Sequence, residues 1–247
     1  MGRRAIAALA ALAALPATGA AAQDVAIPPS IHPELSILAG SIEGFVPPGW
    51  RLEARADGEL NGDGKPDAAV VLRESNPANV LADTMCEERF DTNPRILLVL
   101  FAEPGGGYRM VAKSHELIPR RENPCEVDPF SDPGQIAIKA GTLRLDLERM
   151  MSAGGWDAGT AGFKWRWRDG AVRLIGFDYS NVKRNTGDET LVSVNYLTGL
   201  AKISTGNIGT DREKVRWATL RNRRAPTLDG IGDGLMFDPD ALVSNLP

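Results

Sequence analysis

From Arg51 onward the chain is divided into short runs rich in Val, Ile, Leu and aromatic residues, each closed by Gly, Asn, Asp or Pro, and that punctuation points to a β fold. Ten runs read as strands: RLEARA (51–56), DAAVVLR (67–73), RILLVLFA (95–102), YRMVAKS (108–114), QIAIK (135–139), TLRLDLE (142–148), GFKWRWR (162–168), AVRLIGFDY (171–179), TLVSVNY (190–196) and LAKIS (200–204). A parallel crossover needs a dozen or more residues, so strands this closely spaced pair antiparallel. The expected fold is mainly β: antiparallel sheets built from consecutive hairpins, one or two short helices, and no complete propeller. The helical candidates are a turn or two within PELSILAGSIEGF in the Pro-rich segment 23–48, and NPANVLADTM (76–85), which has a helix start after Asn76-Pro77.

Two turns set strand register. With Ala140-Gly141 as a two-residue turn, Ile138 falls opposite Leu143 and Ile136 opposite Leu145, which makes one face wholly aliphatic. With Asp169-Gly170 as the next, Trp167 meets Val172, Trp165 meets Leu174 and Phe163 faces Gly176. The opposite face then carries Lys164, Arg166, Arg168 and Arg173. Alternation of this kind reads first as core against solvent. The functional alternatives are a sugar-stacking platform for the aromatics and an anion site at Arg166, Arg168 and Arg173.

Residues 1–22 have the layout of a secretory signal peptide: Arg3-Arg4, an Ala/Leu run too short to cross a bilayer, and Ala20-Ala21-Ala22 ahead of Gln23. Cleavage near Ala22 would deliver an exported protein, periplasmic or extracellular, leaving the Pro-rich segment 23–48 and a single β-rich domain over 49–247. Without Arg3 and Arg4, the 28 basic against 32 acidic residues become 26 against 32, a net charge of −6. That balance disfavours general nucleic-acid binding, which depends on Lys and Arg neutralising phosphates. No later segment approaches the roughly 18 apolar residues of a membrane span. The two cysteines, Cys86 and Cys125, lack C-x-x-C spacing, and in an exported chain an even count reads as a disulfide.

The most chemically loaded stretch is DGELNGDGKPD (57–67), set between two expected strands. Oxygen-bearing side chains fall at Glu59, Asn61, Asp63 and Asp67, the carbonyl of Lys65 can face inward, and Gly62 and Gly64 allow a tight curl. A hard cation such as Ca²⁺ takes six to eight oxygens, and alternate side chains of a curled loop can supply them. An EF-hand is excluded by Val70 at the position of its bidentate glutamate. ELNGDGKPDAAVVL instead resembles the calcium loop of integrin-α-type FG-GAP and related bacterial VCBS-like repeats, D-x-[DN]-x-D-G-x-x-D, which connects two strands of a propeller blade. Glu59 stands where that pattern has Asp, and the motif occurs once. The resemblance implies a structural Ca²⁺ held by Glu59, Asn61, Asp63, Lys65 and Asp67, stapling a strand pair. A second acidic stretch, LDGIGDGLMFDPD (228–240), lacks the alternate spacing and reads as turns.

Catalytic signatures are missing: HELIP at His115 has no second histidine four residues on, and there is no G-x-S-x-G or phosphate loop. No catalytic residue is assigned. The expectation is a calcium-binding, non-enzymatic exported domain that binds a protein or envelope polymer. The alternatives are an exported hydrolase of glycans or peptides and an anion-binding accessory protein.

Overall fold

The computed structural model describes residues 26–82, 84–210 and 212–244. The signal-peptide reading of 1–22 lies outside them. In chain order the strands are β1 (Leu38–Ala39), β2 (Trp50–Gly58), β3 (Asp67–Glu74), β4 (Val80–Ala82), β5 (Arg89–Asp91), β6 (Arg95–Ala102) and β7 (Tyr108–Ser114). There follow β8 (Ile136–Lys139), β9 (Thr142–Met150), β10 (Asp157–Arg168), β11 (Ala171–Lys183), β12 (Asp188–Asn195), β13 (Leu200–Asn207) and β14 (Glu213–Thr219). They form a five-stranded sheet in the order β1-β7-β6-β3-β2, a seven-stranded sheet running β14 to β8 as an unbroken meander, and the small pair β4-β5. Every pairing is antiparallel, and neither large sheet closes into a barrel or propeller.

The two large sheets pack face to face. Ala54, Val71, Leu97 and Val99 from one meet Leu143, Leu145, Phe163, Trp165, Phe177, Val192 and Val194 from the other in the main core. The second face of the five-stranded sheet, with Val70, Leu72, Ile96, Leu98 and Leu100, is covered by Ile42 and Phe45 of a 3₁₀ turn, Ile42–Phe45, and by Leu35 and Val46. β3 and β6 are therefore buried on both faces, which is why AAVVL and ILLVLF are continuously apolar rather than alternating.

Both two-residue turns form as read. Ala140 and Gly141 have φ of 50° and 70°, and Asp169 and Gly170 have 51° and 72°, the left-handed pair that matches the twist of a hairpin. Ile138 pairs with Leu143, Ile136 with Leu145, Trp165 with Leu174 and Trp167 with Val172. Phe163 departs from expectation. A bulge leaves Ile175 unpaired, so Lys164 faces Gly176 and Phe163 faces Phe177, their rings 5.1 Å apart. The helix expected over 76–85 is replaced by a 3₁₀ turn at Pro77–Asn79 leading into β4. Asn76 caps that turn through Ala78 N–H, but Val80 and Leu81 then pair with Asp91 and Phe90 rather than continuing a helix. Four strands that the sequence pattern did not mark, β1, β4, β5 and β14, are short or strongly charged.

Candidate functional site

The acidic turn joins β2 to β3 at one end of the five-stranded sheet. Asp67, first residue of β3, is 0% exposed. Its Oδ2 accepts the N–H of Leu60 at 2.9 Å and of Asn61 at 3.3 Å, and its Oδ1 accepts Ala102 N–H at 3.0 Å from the end of β6. Burial pushes this carboxyl above its ordinary range; the three amide bonds oppose the shift and the charge of Glu59 adds to it. Among the described residues no Lys or Arg forms an ion pair with it, so amide dipoles alone face the charge.

The other oxygens fold onto the loop's own amides. Glu59 accepts from Gly62 N–H at 2.5 Å and Gly64 N–H at 2.6 Å, Asn61 Oδ1 from Asp63 N–H at 2.8 Å, and Asp63 Oδ1 from Lys65 N–H at 2.8 Å. Gly62 and Gly64 take φ of 86° and 81°, the curl anticipated from the sequence. Among the described residues no three His, Cys, Asp or Glu side chains form a group placed to hold a metal. The engaged oxygens of Glu59, Asn61 and Asp63 each keep a lone pair beyond the one an amide occupies, while Asp67 Oδ2 already accepts two N–H groups and only its Oδ1 has one to spare, so a hard cation would share these atoms with the loop's amides.

A buried ionic cluster lies further along the same sheet and was not anticipated. β2 carries a bulge between Leu52 and Ala54, and the extra residue is Glu53. Freed from pairing, it reaches Arg95 (Nε to Oε2 2.6 Å) and Arg73 (Nη1 to Oε1 2.9 Å). Arg95 also donates to both oxygens of Asp128 at 2.8 Å and to the carbonyl of Phe130 at 3.0 Å, and Arg73 reaches Asp91 at 3.0 Å. Burial alone would raise the Asp128 carboxyl; the hydrogen bonds and charge of Arg95 outweigh it and hold Asp128 below its ordinary range. In sequence, the only signal is an Arg at the end of DAAVVLR and another at the start of RILLVLFA, which become Cα partners once β3 and β6 pair.

Cys86 and Cys125 form a disulfide with Cα atoms 5.0 Å apart, tying the β4-β5 region to the segment that supplies Asp128. Beside it an open cleft of about 520 Å³ is lined by His115, Glu116, Arg120, Arg149 and Asp233, a mixture of both charges. His115 packs against His32 with ring centroids 4.4 Å apart. Burial pulls both imidazoles below their ordinary range, and for His115 the neighbouring His32 and Lys113 pull it further. Arg120 fastens the segment bearing His32 through Pro28 O at 2.5 Å and Ser30 Oγ at 2.9 Å, and holds the core side through Thr92 and Asn79.

The aromatic stripe is core. Trp165 is fully buried and stacks with Phe163, and Trp167 meets Phe101 edge to face at 4.9 Å, so neither offers an open ring face of the kind a sugar platform requires. On the opposite face Lys164 pairs with Asp178 at 2.6 Å and Arg166 donates to Thr142 Oγ1 at 3.0 Å. Arg168 is exposed at the end of β10, and Arg173 is half-buried against Ala225 O. In the C-terminal acidic stretch Asp233 accepts the N–H of Leu235 and Met236 and Asp238 those of Val243 and Ser244, as loop-forming carboxylates do, while Asp240 accepts that of Arg221 and ties the stretch to the segment after β14.

Searches of protein-family models, characterised proteins and solved structures find no match to this chain.

Proposed function

We propose that this chain is an exported, non-enzymatic β domain, periplasmic or extracellular, that binds a protein or envelope polymer, with Ca²⁺ as the ion of the turn 59–67. One observation carries the metal reading: Asp67 is a fully buried carboxylate with no cationic side chain paired to it among the described residues, next to a second carboxylate, Glu59, whose charge acts on it. Cation binding there would relieve the repulsion between the two. Glu59, Asn61, Asp63, Asp67 and the Lys65 carbonyl would hold the ion, which would supply charge neutralisation and cross-link the ends of β2 and β3 rather than any bond-making chemistry. The Cys86–Cys125 bridge suits an oxidising compartment.

Calorimetric titration of the mature chain with Ca²⁺, in parallel with the Asp63→Ala and Glu59→Gln variants, tests the metal. Both side chains are at the surface, so neither substitution threatens the core. Saturable heat in the wild type that is lost in Asp63→Ala is the expected result. Equal heats in all three proteins would remove calcium from the account.

A further inference from the structure

β14 is the outermost strand of the seven-stranded sheet, and no described strand pairs with its free edge. Its residues are exposed apart from a half-buried Ala218. The register through β12, β13 and β14 sorts its side chains onto two faces. Val215 pairs with Ser204 and Trp217 with Lys202, placing both on the face away from the buried Val192, Val194, Ala201 and Ile203. Trp217 is 65% exposed and Val215 47%, and Leu191 and Leu200 lie partly exposed on the same face. Lys214 and Arg216 alternate with them on the other face.

The chain around this edge is basic within an acidic protein. From Arg212 to Arg224 there are six basic residues, Arg212, Lys214, Arg216, Arg221, Arg223 and Arg224, and one acidic residue, Glu213. All seven are exposed. The single ion pair of this segment among the described residues joins Glu213 to Lys202 at 3.8 Å, so the six cations have no carboxylate partner there. One or two Lys or Arg suffice to protect a sheet edge from unwanted pairing. Protection explains neither an exposed Trp beside an exposed Val nor the continuation of positive charge past the strand.

We propose that β14 and the basic segment following it form a docking edge for an extended acidic polypeptide, which adds as an eighth strand to the sheet. Main-chain N–H and C=O groups of β14 would supply the pairing, and the alternation of β14 sets the pattern of the guest. Acidic side chains would sit opposite Lys214 and Arg216, aliphatic ones beside Val215 and Trp217 on the other face. A second copy of this chain would bring the same six basic residues against one acidic residue to the edge, which makes it a poorer occupant than an acidic chain. Antiparallel self-pairing that keeps like faces together and centres on Val215 sets Lys214 against Arg216, a repulsive arrangement. This inference rests on the proposed binding role, narrowing it to a surface and a partner chemistry, and is independent of calcium.

Fluorescence anisotropy with a strand-length fluorescein-labelled peptide alternating Glu with Val and Thr tests it on the full mature chain, with and without a chelator. Expected are saturable binding that is unaffected by chelation, a blue shift of Trp217 emission absent from Trp217→Phe, and a loss of affinity of roughly tenfold or more in Lys214→Glu/Arg216→Glu, whose circular dichroism stays that of the wild type. A peptide of the same charge with prolines at alternate positions cannot pair its amides and should bind at least roughly tenfold more weakly. Equal binding of the proline peptide, or competition by polyphosphate as effective as by the alternating peptide, would reduce the edge to a nonspecific cation surface and overturn strand addition. Self-association abolished by the charge-reversal variant would also overturn it, by giving the edge to a second copy. Absence of peptide binding in a protein that binds calcium normally defeats this inference alone, whereas absence of calcium heat with intact peptide binding defeats the metal reading alone.

Discussion

Asp67 is fully buried and Asp128 half-buried, and their surroundings push the two carboxylates in opposite directions. Burial raises the Asp67 pKa, with a smaller contribution from the like charge of Glu59, and the three amide bonds oppose this only in part; Asp128 is gripped by the guanidinium of Arg95, so its pKa is lowered despite burial. By linkage, Asp128 contributes stability that is present above its ordinary pKa of about 4 and lost as pH falls through its depressed value, while Asp67 works against stability as pH rises through its raised one. The two are also unequal in what their loss leaves behind. Arg95 has a side chain only 2% exposed, and without Asp128 it keeps Glu53 but strands part of its charge. Asp128→Ala should therefore cost roughly 3 kcal/mol at neutral pH and flatten the acid limb of the stability profile, read from denaturant unfolding between pH 3 and 7. A loss below about 1 kcal/mol would mean that Glu53 and Asp91 alone satisfy the two arginines.

Among the elements, the hairpins were legible because a two-residue turn with glycine leaves one register, and alternation on either side then names the core face. Gly170 shows how tightly this is set: at φ of 72° a β-branched residue would be strained, so Gly170→Val should cost roughly 1–2 kcal/mol in chemical denaturation with m unchanged. A neutral result would show that the turn relaxes to another type. Where reading failed, pairing had to be known first. The bulges at Ile175 and Glu53 each insert one residue, which shifted Phe163 onto Phe177 and aimed Glu53 at two arginines. Neither leaves a mark in local composition. β14, written EKVRWAT, was missed because charge at three of its first four positions masks a strand that has a neighbour on one side only. In NPANVLADTM the cap chemistry after Asn76 is real, but it serves a single 3₁₀ turn, since Phe90 and Asp91 of β5 supply pairing that competes with helix propagation. The acidic turn was readable as a curled loop. That Asp67 would be its buried anchor, tied to β6 through Ala102, was not, because the third amide comes from 35 residues away.

At the scale of the whole molecule, the segment from residue 26 to Phe45 is a strap joined to the edge of the five-stranded sheet by the β1–β7 pairing and fastened on either side of that pairing by contacts of different character. Near Phe45 the fastening is apolar: Ile42 and Phe45 are buried against Val70, Leu72, Ile96 and Leu98 and do not depend on pH. Near His32 it is polar: the imidazole packs on His115, with Arg120 holding Pro28 and Ser30, and with Glu74, Glu116 and Lys113 also acting on the two rings. Both histidines have lowered pKa values, so the folded state favours their neutral forms. Their contribution is fully present above the ordinary value of about 6.5 and is lost as pH falls through the depressed folded values. Protonation would place two cations in contact beside Arg120 and Lys113, with Glu74, Glu116 and Glu122 to offset them. Hydrogen exchange of residues 28–34 should therefore accelerate between pH 7.5 and 5 after correction for intrinsic rates, while exchange around Phe45 stays constant. His115→Phe keeps an aromatic partner and removes one titrating ring, and should abolish most of that acceleration. If the end near His32 and the end near Phe45 instead loosen together, the strap opens as one unit, and its two fastenings are coupled through the sheet beneath them.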